Sequence, residues 1–183
     1  VAIVAGLIAS IVHAVSSATP VRPATTSPVV ARRPTTTALR SVIARRPYGV
    51  NHLDRVYRRT ATDGTIRELR TEVWVPLGTG PFPVIAFAHG FAGHPDKFSD
   101  LFSSWARRGY AVVAPRFPKS AADANPQLAE AAADSHEQPA DLEFALRKAI
   151  DADARSAAAR GGRPALDPTD VALAGLSLGG GTV

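Results

Sequence analysis

The last thirteen residues, VALAGLSLGGGTV, constrain the fold more than any other stretch of the 183-residue chain. From Val171 to Leu176 the run is apolar or glycine. It leads into Ser177, with Gly175 and Gly179 two residues to either side. A continuous apolar run bounded by turn residues reads as a strand buried on both faces. Flanking glycines allow a turn too tight for side chains. At such a strand-to-helix turn the hydroxyl of Ser177 is lifted to the carboxyl end of the sheet. The amide of the next residue, Leu178, points to the same spot from a helix N-terminus, where negative charge is stabilised. This arrangement makes Ser177 a candidate nucleophile and Gly175 and Gly179 its supports. Some phosphate-binding turns are also rich in glycine, but this spacing fits neither the dinucleotide pattern nor a P-loop, whose lysine is missing.

The upstream sequence supplies elements for such a sheet. VIAFAH, residues 84–89, reads as a second buried strand, and YAVVAPRFP, residues 110–118, as a third. Between them Phe98, Leu101, Phe102 and Trp105 share one helical face, with Pro95 and Asp96 in the first turn and Gly109 at the end. Leu142, Ala145, Leu146, Ala149 and Ile150 define another amphipathic helix starting near Pro139. TIRELRTEVWVPL, residues 65–77, reads as one or two strands at a sheet margin, and residues 119–138 as a surface loop or weak helix. Short buried strands alternating with amphipathic helices predict an α/β fold: a mostly parallel sheet with helices on both faces.

His89-Gly90-Phe91 follows the first buried strand directly. Acyl transfer needs two amide donors aimed at the developing oxyanion, one after the nucleophile and one from a loop after an upstream strand. Phe91 is placed to give the second amide, with Gly90 letting the backbone approach and His89 supporting the loop. An ordinary turn with an incidental histidine is the plainer alternative.

These two stretches, PVIAFAHGFAGHPDKFSDLFSSWARRGYAVVAPRFP and DVALAGLSLGGGTV, together resemble the first half of an α/β-hydrolase. The resemblance runs over about residues 65–183 and is closest to the group of bacterial dienelactone hydrolases, chlorophyllases and platelet-activating-factor-acetylhydrolase-like proteins, which includes polyester hydrolases. It implies Ser177 as nucleophile, the Phe91 and Leu178 amides as oxyanion hole, and hydrolysis of a small-molecule, lipid or polyester ester without metal or organic cofactor. Many relatives have histidine where Leu176 stands, and an acidic residue where Arg116 stands.

Ser177 needs a base, and the base an orienting acid. In the superfamily both follow the serine, the acid first, yet only Leu178 to Val183 follow here. The sequence is therefore expected to be the N-terminal part of a larger hydrolase, incomplete after the nucleophile turn and inactive by itself, with its last strand an open edge. His94 or His136 in a rearranged triad is the remaining catalytic alternative. A non-catalytic exported domain of this fold, or a peptidase or thioesterase, would share the same motifs.

The charge lies mostly outside this region. Residues 1–53 hold six arginines and no acid, whereas residues 54–183 carry 15 Lys and Arg against 16 Asp and Glu. The net charge of +5 thus belongs to the N-terminal tail, which argues against nucleic acid as a partner. Residues 1–18, VAIVAGLIASIVHAVSSA, read as a secretory signal lacking its basic start, with an uncleaved membrane anchor as the alternative. Residues 19–47, rich in Pro, Thr and Arg, read as a disordered linker, and residues 48–183 as the hydrolase part. A secreted or cell-surface location follows from the signal. The absence of cysteine excludes disulfides and thiol catalysis.

Overall fold

The computed structural model describes residues 46–183. The expected signal and nearly all of the expected linker lie outside the described residues. Five strands form one sheet in the order β1-β2-β4-β3-β5. β1 (Gly49–Thr60) and β2 (Ile66–Leu77) make an antiparallel hairpin. Its turn is held by Asp63, whose Oδ1 accepts the Thr65 amide and hydroxyl at 2.9 and 2.7 Å. β2 runs antiparallel to β4 (Ala111–Pro115), while β3 (Phe82–Ala88) runs parallel to both β4 and β5 (Leu166–Gly175). β2 is therefore the one reversed strand of the sheet.

The strand pleat sends alternate side chains to opposite faces, and a helix covers each. α1 (Ser99–Arg107) lays Phe102 against Phe87, Val112 and Ala114, with Trp74 and Trp105 at the margin. On the other face α3 (Gln138–Ala159) packs Ala149 with Val73, Val84 and Val113, and Leu142 with Ala86, Ala88 and Phe117. Phe102 is fully buried; burying a side chain of that size contributes about 2 to 3 kcal/mol.

Several expectations change. The strand before Ser177 starts at Leu166, and residues 168–173 are exposed, with Leu173 56% accessible. β5 is an edge, as the sequence led one to expect: among the described residues nothing pairs with its outer side. Its apolar sequence was enough to predict a strand but not a covered one. Residues 119–138 are not simply surface. They contain α2 (Leu128–Asp134), and Ser120, Ala121, Ala131, Asp134, Glu137 and Gln138 are buried. The helix expected after Ser177 is a 3-10 helix, Ser177–Gly181, too short for a macrodipole argument of the kind made from sequence. β1 is an element that the sequence reading missed. Its exposed polar residues obscure the alternation that marks a strand.

Candidate active site

Ser177 begins the turn after β5 with φ of +55°, in the left-handed region that a side chain disfavours. Packing holds it there. A Cβ on Gly175 would stand 2.2 Å from the carbonyl oxygen of Gly179, and one on Gly179 would stand 2.1 Å from that of Ala88. The chain thus folds back on itself and against the end of β3 at distances that only glycine permits. The Leu176 amide donates to the Ala88 carbonyl at 3.1 Å, and the Gly179 amide to the Leu176 carbonyl at 2.9 Å. Ser177 is exposed at the carboxyl end of the sheet. A non-glycine residue kept in a disfavoured backbone region by its surroundings is a mark of functional sites.

The loop after β3 lies directly against this turn. A Cβ on Gly90 would be 3.2 Å from Ser177 Cβ and 2.8 Å from the Leu176 carbonyl oxygen. The structure therefore brings His89 and Gly90 together with Leu176, Ser177 and Gly179, the neighbours of Phe91 and Leu178 in the chain. Among the described residues, neither the Phe91 nor the Leu178 amide donates to a backbone carbonyl outside its own element. Phe91 is 37% exposed.

His89 is buried and pins this loop. Its Nε2 accepts the Phe117 amide at 3.0 Å, which leaves the proton on Nδ1 to donate to the Gly90 carbonyl at 2.8 Å. Burial pushes the ring down to about 4, so it is neutral at pH 7. With both nitrogens engaged, His89 supports the loop rather than serving as a base.

The other described histidines lie beside carboxylates rather than Ser177. His52 stacks on Trp74 and has Nε2 3.3 Å from Glu72. His94 Nδ1 lies 2.9 Å from Asp96, and exposed His136 lies 3.8 Å from Glu137. Neither His94 nor His136 forms a rearranged triad with Ser177 among these contacts. Glu72, His94 and Asp96 bring three donor atoms within 4.8 Å of one another, the spacing of a possible cation site. Burial and the contact with Asp96 push Glu72 up to about 8, and that contact holds Asp96 below the usual carboxylate range.

Sequence reading missed the polar groups that lock these loops to the helices. Arg67 of β2 is buried between Asp134 of α2, at 2.6 and 2.9 Å, and Asp141 of α3. Arg59 of β1 joins the same Asp141 at 2.6 Å. A signal was present: Gln138 and Asp141 fall in register with the apolar stripe of Leu142, Ala145 and Ala149, where polar residues should be paired.

The sequence model of the chlorophyllase family matches residues 50–180. Comparison with curated protein sequences returned no match. Among solved structures the chain is similar to a ferulic acid esterase from Streptomyces cinnamoneus, at 20% identity and a TM-score of 0.54, over 75% of this chain and 54% of that one. It is also similar to the rice cell wall degrading esterase LipA from Xanthomonas oryzae, at 19% identity and a TM-score of 0.52, over 80% of this chain and 39% of that one. The chain thus spans about half the length of the first and about two-fifths of the second. At these identities the likeness shows the α/β-hydrolase fold.

Proposed function

The chain belongs to the chlorophyllase family, and from that premise we propose that it carries the nucleophile and oxyanion hole of a serine hydrolase acting on carboxylic esters. The observation that carries this reading is Ser177 itself, exposed at φ of +55° with the loop of Gly90 packed against it. Ser177 Oγ attacks the ester carbonyl carbon while its proton passes to a base. The amides of Phe91 and Leu178 receive the negative charge that develops on the carbonyl oxygen. Loss of the alcohol leaves an acyl-enzyme, which water then hydrolyses. Each donor of such a hole typically accounts for about a 100- to 1,000-fold rate effect.

Among the described residues no hydrogen bond joins a histidine to Ser177, so this reading takes its base from outside them. For the same reason the 183-residue chain alone is expected to show no esterase turnover above a Ser177→Ala control. The names of the structural neighbours favour esters, including plant cell wall esters, over amide or thioester substrates. Residues 1–18, read as a signal, would place the enzyme outside the cell.

The test uses the enzyme expressed from its complete reading frame, with an activated aryl ester and a fluorophosphonate probe. Ser177→Ala should abolish turnover and labelling while leaving the free energy of urea unfolding within about 1 kcal/mol of the parent. Retained turnover would sink the assignment.

A further inference from the structure

We propose that a buried chain of side chains, Ser120–Gln138–Thr182, fixes the nucleophile turn relative to the loop after β3, making Gln138 and Thr182 positioning residues for the oxyanion hole. Three segments far apart in sequence meet here. Gln138, at the start of α3, is fully buried. Its Nε2 donates to Ser120 Oγ at 3.0 Å, and its Oε1 accepts the Thr182 hydroxyl at 2.8 Å. Ser120 is also fully buried, and Thr182 is 8% exposed.

Each end of the chain continues into one half of the site. At one end, Ser120 sits in the segment after β4 that holds the Phe91 loop. The Ala92 amide donates to the Ser120 carbonyl, and the Ala122 amide to the Gly93 carbonyl, both at 2.9 Å. The Phe117 amide holds His89 in the same segment. At the other end, Thr182 closes the 3-10 helix that starts at Ser177. Its amide donates to the Gly179 carbonyl at 3.2 Å, and its hydroxyl lies 3.3 Å from the Leu178 carbonyl oxygen. Phe91 and Leu178 are thus joined by two routes. One is direct, where the Gly90 backbone meets Ser177. The other runs through Gln138.

Side-chain hydroxyls and an amide suit this task because none changes charge across the working pH range. Buried polar groups linked in series have few alternative partners, so removing one releases the others. The two amides of an oxyanion hole must point at one atom, and that atom is charged only in the transition state. Displacing them should therefore lower kcat and leave KM nearly unchanged.

This inference rests on the nucleophile reading above, and the experiment separates the two. In the enzyme expressed from its complete reading frame, Thr182→Val removes the hydroxyl at nearly constant volume, and Thr182→Ser restores it. With an activated aryl ester, Thr182→Val and Gln138→Leu should each lower kcat about tenfold with KM within about twofold of the parent. Thr182→Ser should recover most of the loss. The double variant should fall at most about twofold below Gln138→Leu, because the chain is already broken. Fluorophosphonate labelling per folded molecule should slow in parallel. If Gln138→Leu does not fold, Ser120→Ala takes its place with the same expectation. Unchanged kcat in Thr182→Val, or a loss in Thr182→Ser equal to that in Thr182→Val, overturns the positioning role. An active Ser177→Ala enzyme overturns the nucleophile reading instead.

Discussion

At His89 one buried ring accepts a hydrogen bond on one nitrogen and donates one on the other, and only the neutral ring can do both. Burial holds it down to about 4, against an ordinary value of 6.5. The sign follows from proton binding. Between these values the unfolded chain takes up a proton that the folded one refuses. Stability is therefore fully present above pH 6.5 and is lost as pH falls towards 4, by about 3 kcal/mol from this residue. The difference in urea-unfolding free energy between the parent and His89→Gln should carry that slope, the parent losing stability relative to the variant as pH falls from 6.5 to 4. Glu72 behaves in the opposite sense. Its carboxyl is pushed up to about 8, so the folded state keeps a proton that the unfolded chain releases above 4.5. That contribution is fully present below 4.5 and is lost as pH rises through 8. Glu72→Gln, which keeps a neutral donor towards Asp96, should change the melting temperature little at pH 4 and raise it increasingly from pH 6 to pH 9.

Among the elements, the end of β3 and the turn after β5 act as one unit. Gly179 lies under the Ala88 carbonyl so closely that a methyl group would stand 2.1 Å from that oxygen, and both partners are backbone. No side-chain rotation can relieve the overlap. Gly179→Ala should therefore cost at least about 2 kcal/mol and displace Ser177, and a urea titration alongside fluorophosphonate labelling would read both effects. Gly180 has only one neighbour within contact distance of a Cβ, at 3.8 Å. Gly180→Ala is the matched control and should leave labelling within about twofold of the parent. The glycine spacing around Ser177 was legible in sequence because the turn is local. Which of these glycines meets β3 was not, because the contact joins residues about ninety positions apart.

For the molecule as a whole, the hairpin β1–β2 is tied to α2 and α3 by charge as well as by packing. Arg59 and Arg67 converge on Asp141, which is fully buried, while Asp134 and Glu137 complete the cluster. Glu137 is held down to about 2, first by the Thr62 hydroxyl and amide and then by Arg59. Its share of stability is present above 4.5 and is lost as pH falls through 2. Removing Asp141 would leave two guanidinium groups short of a buried partner, and Asp141→Ala should cost about 3 to 5 kcal/mol in urea unfolding. By itself the sequence determined the order of β2, β3, α1, β4, α3 and β5, the turn at Ser177 and the loop of Gly90. All are written in the periodicity and spacing of contiguous residues. Only the tertiary structure decided that residues 168–173 of β5 are exposed, that Arg59 meets Asp141 across 82 positions and that Thr182 meets Gln138 across 44. Strand exposure depends on what packs alongside. The partner of a buried polar group is chosen by proximity in space, which hydrophobic periodicity along the chain does not encode.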